Sequence, residues 1–130
     1  MTSLSVARLL TELRPNNGNV LQSSIIEALL YIANGIDNRP ALCEAMMNEE
    51  GVVFDDGACN RIISGLRCRT YYRDGKYVNP SFTRPLIEVR RHPHIRNAYQ
   101  MRPSLIGREI LVKHLGEDAC PGRLKSDEEW

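Results

Sequence analysis

The chain has 130 residues, 42% of them apolar and 25% charged, with a formal net charge of +1. Those proportions fit one globular domain large enough for its own core, and no apolar run approaches the roughly 18 residues a membrane span requires. The N-terminal stretch MTSLSVARLLTELR mixes acid with base and lacks a signal-peptide core and cleavage site, so a cytoplasmic protein with no membrane partner is expected.

Residues 3–14, SLSVARLLTELR, predict a first helix. Val6, Leu9, Leu10 and Leu13 recur at helical spacing, Ser3 or Ser5 can cap it, and Pro15 with the following NNGN ends it. So short a helix must dock, either on its own core or on a partner subunit. Residues 20–34, VLQSSIIEALLYIAN, form the most apolar helix candidate. Leu21, Ile25, Ala28, Leu29 and Ile32 make its stripe, and Gly35 is placed to end it through a left-handed cap. Residues 38–47 predict a third helix, capped by Asp37 or Asn38, with Pro40 in its first turn and Leu42, Ala45 and Met46 inward. Residues 55–69, DDGACNRIISGLRCR, predict a fourth, with Asp55 or Asp56 as cap.

The helical pattern then breaks. Asp74-Gly75 between Tyr-rich flanks signals a tight hairpin turn within residues 70–85. Residues 86–91, LIEVRR, and 97–102, NAYQMR, alternate like two half-buried strands, with Ile87, Val89, Tyr99 and Met101 inward and HPHIR as the tip between them. Pro103 and Ser104 start a last helix, LIGREILVKHL, which Gly116 ends, with Lys113 and His114 suiting its C-terminal dipole. The expected fold is therefore mainly α with a small antiparallel β-hairpin, one domain over residues 1–116, followed by a polar, mobile tail over 117–130.

Cys43, Cys59, Cys68 and Cys120 stand far apart with no C-x-x-C pair. That spacing predicts free thiols, with neither a zinc site nor a disulfide. Cys120, in the polar tail, is expected to be the exposed and reactive one.

The near-neutral total conceals a segregation. Residues 1–60 hold 3 basic and 8 acidic side chains (net −5), residues 61–108 hold 11 and 2 (net +9), and residues 109–130 hold 3 and 6 (net −3). Ten of the 11 cations in the middle block are arginines, the side chain suited to bidentate phosphate and base contacts.

That block begins within the fourth helix. Ala58, Cys59, Ile62, Ile63 and Leu66 form its apolar back, whereas Asn60, Arg61, Ser64 and Arg67 fall on the other side, with Arg69 just past the end. Arginine can reach the guanine edge, asparagine the adenine edge, and serine a base or a phosphate, so this helix is the candidate major-groove reader. The second hairpin adds Arg90, Arg91, His92, His94, Arg96 and Arg102 as candidate phosphate contacts. His92-x-His94 has ligand-like spacing on a strand edge. No carboxylate lies nearby in sequence, however, and the pair is embedded among arginines, so no metal, cofactor or catalytic residue is expected.

Three helices, a basic hairpin and a closing helix is the layout of a winged helix-turn-helix. On the stretches SSIIEALLYIANG, RPALCEAMM, CNRIISGLRCR and SLIGREIL, the chain resembles the MarR-type regulators of bacteria over roughly residues 20–115. The last stretch is similar to that family's L-T-x-x-G-R motif, with Leu105, Gly107 and Arg108 in matching places. The resemblance implies a homodimeric, sequence-specific transcriptional regulator of double-stranded DNA. Asn60, Arg61, Ser64 and Arg67 would serve the reading helix, and Arg90, Arg91, His92, His94 and Arg96 the wing. It also implies dimerisation through terminal helices, with Val6, Leu9, Leu10 and Leu13 packing against Leu111, Val112 and Leu115 of the same or the other subunit.

The chain departs from that pattern in three places. The link at 47–55 and the stretch at 70–85 are long, and Asp55 and Asp56 put negative charge at the entry of the reading helix. Those features fit a second class: a winged-helix module that binds a protein partner, as an inhibitor or adaptor, instead of DNA.

Overall fold

Local chemistry sets the element boundaries. The computed structural model describes residues 3–13, 23–46, 55–68, 71–78 and 84–120. Among them are α1 (Ser3–Glu12), α2 (Ser23–Ala33), α3 (Arg39–Ala45), α4 (Asp56–Leu66), β1 (Tyr71–Arg73), β2 (Lys76–Val78), β3 (Ile87–Arg91), β4 (Tyr99–Pro103) and α5 (Leu105–Leu115). The fold is mainly helical, with two antiparallel two-stranded hairpins, β1–β2 and β3–β4. The expected Pro15-NNGN turn, Leu21, most of the 47–55 link, Arg69 and the tail from residue 121 lie outside the described residues.

Side-chain caps mark three helix starts and settle the alternatives left open at α3 and α4. Asn38 Oδ1 accepts from the Ala41 N–H at 2.9 Å, Asp55 Oδ1 from Ala58 at 2.7 Å, and Ser104 Oγ from Gly107 at 2.9 Å. At the end of α2, the Ile36 N–H donates to Tyr31 O at 3.1 Å and the Gly35 N–H to Ile32 O at 3.2 Å, with Gly35 at φ +111°. That is the Schellman arrangement, which needs a left-handed residue at the glycine. Asp74 and Gly75, at φ +51° and +80°, form the two-residue turn whose twist matches the β1–β2 strands it joins.

One apolar cluster unites the helices and the second hairpin. Ala28, Leu29 and Ile32 of α2 meet Leu42 of α3, Ile62, Ile63 and Leu66 of α4, Ile87 and Met101 of the hairpin, and Ile110 and Leu111 of α5. The Met101 N–H also donates to Asp37 O at 2.8 Å, so the link between α2 and α3 runs along β4. Helix α1 lies on α5. There Glu12 accepts from Lys113 Nζ at 3.3 Å and meets His114 Nε2 at 2.5 Å. The His114 hydrogen bond, with Lys113, holds the Glu12 carboxyl below the usual carboxylate range.

The base of the second hairpin is stitched on three sides. The Leu86 N–H donates to Leu66 O at 2.8 Å, and Leu86 O accepts from the Ser104 N–H at 3.0 Å. Ser104 Oγ donates to Pro85 O at 2.8 Å. Helix α5 approaches so closely that a Cβ on Gly107 would stand 2.1 Å from Leu86 O. Only glycine leaves room for that backbone contact.

Several expectations change here. Cys120 is buried, not exposed. The 3-10 turn at Glu117–Ala119 tucks it under the domain, Asn34 Nδ2 donates to Ala119 O at 3.4 Å, and burial pushes the Cys120 thiol up. The described chain stays packed on the helices as far as Cys120. Tyr99 is 51% exposed although its strand partners point inward, because it sits opposite Arg91 at the far end of the ladder, beyond the core. Leu9, Leu13 and Leu111, expected to pack together within one subunit or across a dimer seam, are buried in the core of one chain. Of the others, Val112 and Leu115 are half-buried and only Val6 and Leu10 are exposed.

Candidate nucleic-acid interface

The start of α3, the outer side of α4 and the far half of the β3–β4 hairpin enclose a groove of about 500 Å³. Its position follows from packing. Cys59, Ile62, Ile63 and Leu66 hold the back of α4 in the core, which turns Asn60, Ser64 and Arg67, spaced by four and three residues, toward the groove. Across from them stand Val89, His92, Ile95, Asn97 and Tyr99. Ile63, Val89 and Met101 are the buried or half-buried apolar side chains of its lining, and Arg39, Asn60 and Asn97 are exposed around them together with Ile95 and Tyr99.

The predicted base-reading residues do not all share this groove. Asn60 Oδ1 accepts from Arg39 Nη1 at 3.2 Å, so one of the two groups that asparagine would use on adenine already has a protein donor. Ser64 and Arg67 are half-buried in the groove wall. Arg61 stands one residue round the helix, exposed, its guanidinium beside Gly57. Arg69 lies outside the described residues.

The hairpin sorts its arginines by strand face. Arg90 opposes Gln100 in the ladder, and its Nε and Nη2 donate to Gln100 Oε1 at 3.2 and 2.9 Å. Arg102 opposes Glu88 and pairs with it at 2.8 Å. These two guanidiniums brace the strands. Arg91, His94 and Arg96 are exposed instead, around a second concavity of about 450 Å³ at the tip.

His92 has a different place from the one its neighbours suggest. Its Nδ1 accepts from the backbone N–H of His94 at 3.1 Å and of Ile95 at 3.0 Å. The His92 N–H donates to Ala98 O at 2.8 Å, and Asn97 takes the left-handed φ of +60° that reverses the chain.

Arg39 and Tyr99 belong to the groove and escape a reading by sequence. Arg39 is the first residue of a short helix and precedes the basic block. Tyr99 sits at an inward position of its strand. Only the distance of each from the core decides its exposure.

A groove that sets Arg39 and Arg67 beside apolar side chains can hold a polyanion at its edge and a planar or apolar group within it. Among the described residues no cluster of three or more His, Cys, Asp or Glu could hold a metal, and no helix is long and apolar enough to cross a membrane. No protein-family model, curated protein or solved structure matches this chain.

Proposed function

We propose that this chain is a winged-helix protein that binds double-stranded DNA as a homodimer and regulates transcription. The observation that carries this reading is a convergence. Helix α4 and the β3–β4 tip flank one groove lined by Arg39 and Arg67, and the adjoining concavity at the tip is lined by Arg91 and Arg96; all but the first come from the +9 block. The backbone bond from Met101 to Asp37 supports the layout, because it ties the link between α2 and α3 to the free edge of β4. In this reading the exposed side of α4, with Arg61 and Ser64, enters the major groove. Arg91, His94 and Arg96 on the tip reach phosphates and so set register and affinity. Leu4, Val6 and Leu10, exposed on α1, supply an apolar patch for the second subunit.

A second reading rests on two observations. Asp55 places a carboxylate at the N-terminus of α4, where it repels phosphate, and Ile95 and Tyr99 present apolar surface on the groove rim. Both favour a protein partner docked on the same face.

The test is selection of bound sequences from a random duplex pool, with affinity measured against salt. A DNA-binding regulator enriches a site, as two half-sites if it is a dimer, and binds random duplex with an affinity that falls steeply as salt rises. A monomeric mass at micromolar concentration would remove the homodimer. No enrichment and no salt-dependent binding would remove the DNA reading and leave the protein partner.

A further inference from the structure

We propose that His92 is the positioning residue of the hairpin tip. Its neutral imidazole, accepting at Nδ1, holds the loop in the shape that presents Arg91, His94 and Arg96, and protonation of the ring releases that shape. The geometry carries the argument. Nδ1 receives two backbone donors, the N–H groups of His94 and Ile95 at 3.1 and 3.0 Å. An imidazole nitrogen can accept only through its lone pair, so the ring must be the tautomer that bears its proton on Nε2. A proton added at Nδ1 turns the acceptor into a donor facing two donors.

Little else fixes the tip. One backbone bond, His92 N–H to Ala98 O at 2.8 Å, closes its mouth, and the bond from the Ala98 N–H to Ile95 O is long at 3.4 Å. Pro93, His94, Ile95, Arg96 and Asn97 are all exposed, so apolar packing contributes little there. The charged and titratable groups around the ring are Arg91, His94 and Arg96 on the tip, Tyr99 on β4, Asp37 and Arg39 at the start of α3, and Arg67 on α4. The edge-on His94 ring, with centroids 6.2 Å apart, is a second imidazole on the tip and must be separated from His92 by mutation.

The inference rests on the DNA-binding reading for its consequence, not for its geometry, and it inverts the usual sign. A histidine that contacts phosphate strengthens DNA binding when it gains a proton. A histidine that holds the tip by accepting weakens it.

The experiment uses the full chain carrying His94→Gln, with ¹⁵N spectra of the remaining imidazoles and affinity for duplex DNA, at pH 8 and pH 5.5 and fixed ionic strength. At pH 8 the expected ring has an unprotonated Nδ1, and the His92-dependent amides at positions 94 and 95 are protected from exchange. At pH 5.5 that protection is lost and DNA affinity falls by about five-fold or more, the scale of losing one to two hydrogen bonds. His92→Asn, whose Oδ1 can accept from the same backbone groups and cannot be protonated, keeps the pH 8 affinity and shows no such fall. His92→Phe is weak at both pH values. A ring protonated at Nδ1 at pH 8, or tighter DNA binding at pH 5.5 with His92 intact, would overturn the proposal. Correct ring and amide signatures with no DNA binding at either pH would uphold the positioning of the tip and overturn the DNA reading alone.

Discussion

The two ends of the β3–β4 hairpin are built from opposite materials. At its base, Leu86, Ile87 and Met101 are buried, the Leu86 backbone is bonded to Leu66 and Ser104, and α5 presses a glycine against it. At its tip, residues 93–97 are exposed, and a single imidazole with one short backbone bond closes the loop. The base fixes where the hairpin points. The tip leaves its cations free for a ligand, and its shape depends on a few exposed hydrogen bonds. If the tip binds DNA as proposed, stability and binding are divided along one hairpin, and substitutions at its two ends should have separable effects.

The largest expected effect is at the base. Gly107→Ala puts a methyl group 2.1 Å from a backbone oxygen, and neither α5 nor Leu86 can retreat without breaking the bonds that join them. The expected loss is about 4 kcal/mol or more, read by denaturant unfolding, with DNA binding lost alongside. A loss below about 1 kcal/mol would mean that the joint is looser than its geometry.

Ser104→Ala is next. It removes the α5 cap and the hydroxyl bond to Pro85 O and should cost about 1–2 kcal/mol. Because Ser104 is buried, water cannot replace either bond, and a neutral result would show that the base does not depend on this cap.

A smaller effect, confined to acid, is expected where α1 meets α5. The Glu12 carboxyl is held low by His114 and Lys113, so its folded pKa lies below its unfolded one. Its contribution is therefore complete above the ordinary carboxylate range, near pH 4.3, and is lost as pH falls through the folded value. Glu12→Gln should lower the melting temperature slightly at about pH 6, and the gap should close by about pH 3. A gap that persists in acid would assign the effect to packing instead of charge.

Much of the base and little of the tip is legible in the sequence. Apolar periodicity marks the helices, and Asp74-Gly75 marks its turn, because both signals are local. The SLIGREIL stretch places Gly107, yet its reason, contact with Leu86 O, exists only once α5 folds back on the hairpin. A polar tail conceals Cys120, since a short 3-10 turn and Asn34, not hydrophobic pattern, carry it inward. At the site, the spacing of Asn60, Ser64 and Arg67 foretells a shared face. It does not foretell that Arg39 takes up Asn60, that Arg90 is spent on Gln100, or that His92 turns its ring back on its own loop. Those are choices among polar partners of similar chemistry, and only three-dimensional proximity makes them.

The central claim, that the tip and α4 form one DNA-binding face, is tested most directly by Arg91→Ala with Arg96→Ala. Both side chains are exposed, so stability should stay within about 0.5 kcal/mol of the parent. Affinity for random duplex DNA is measured over a range of salt. The expected result is uniformly weaker binding and a log–log salt slope shallower by about two, one for each lost phosphate contact. An unchanged affinity and an unchanged slope would contradict the account.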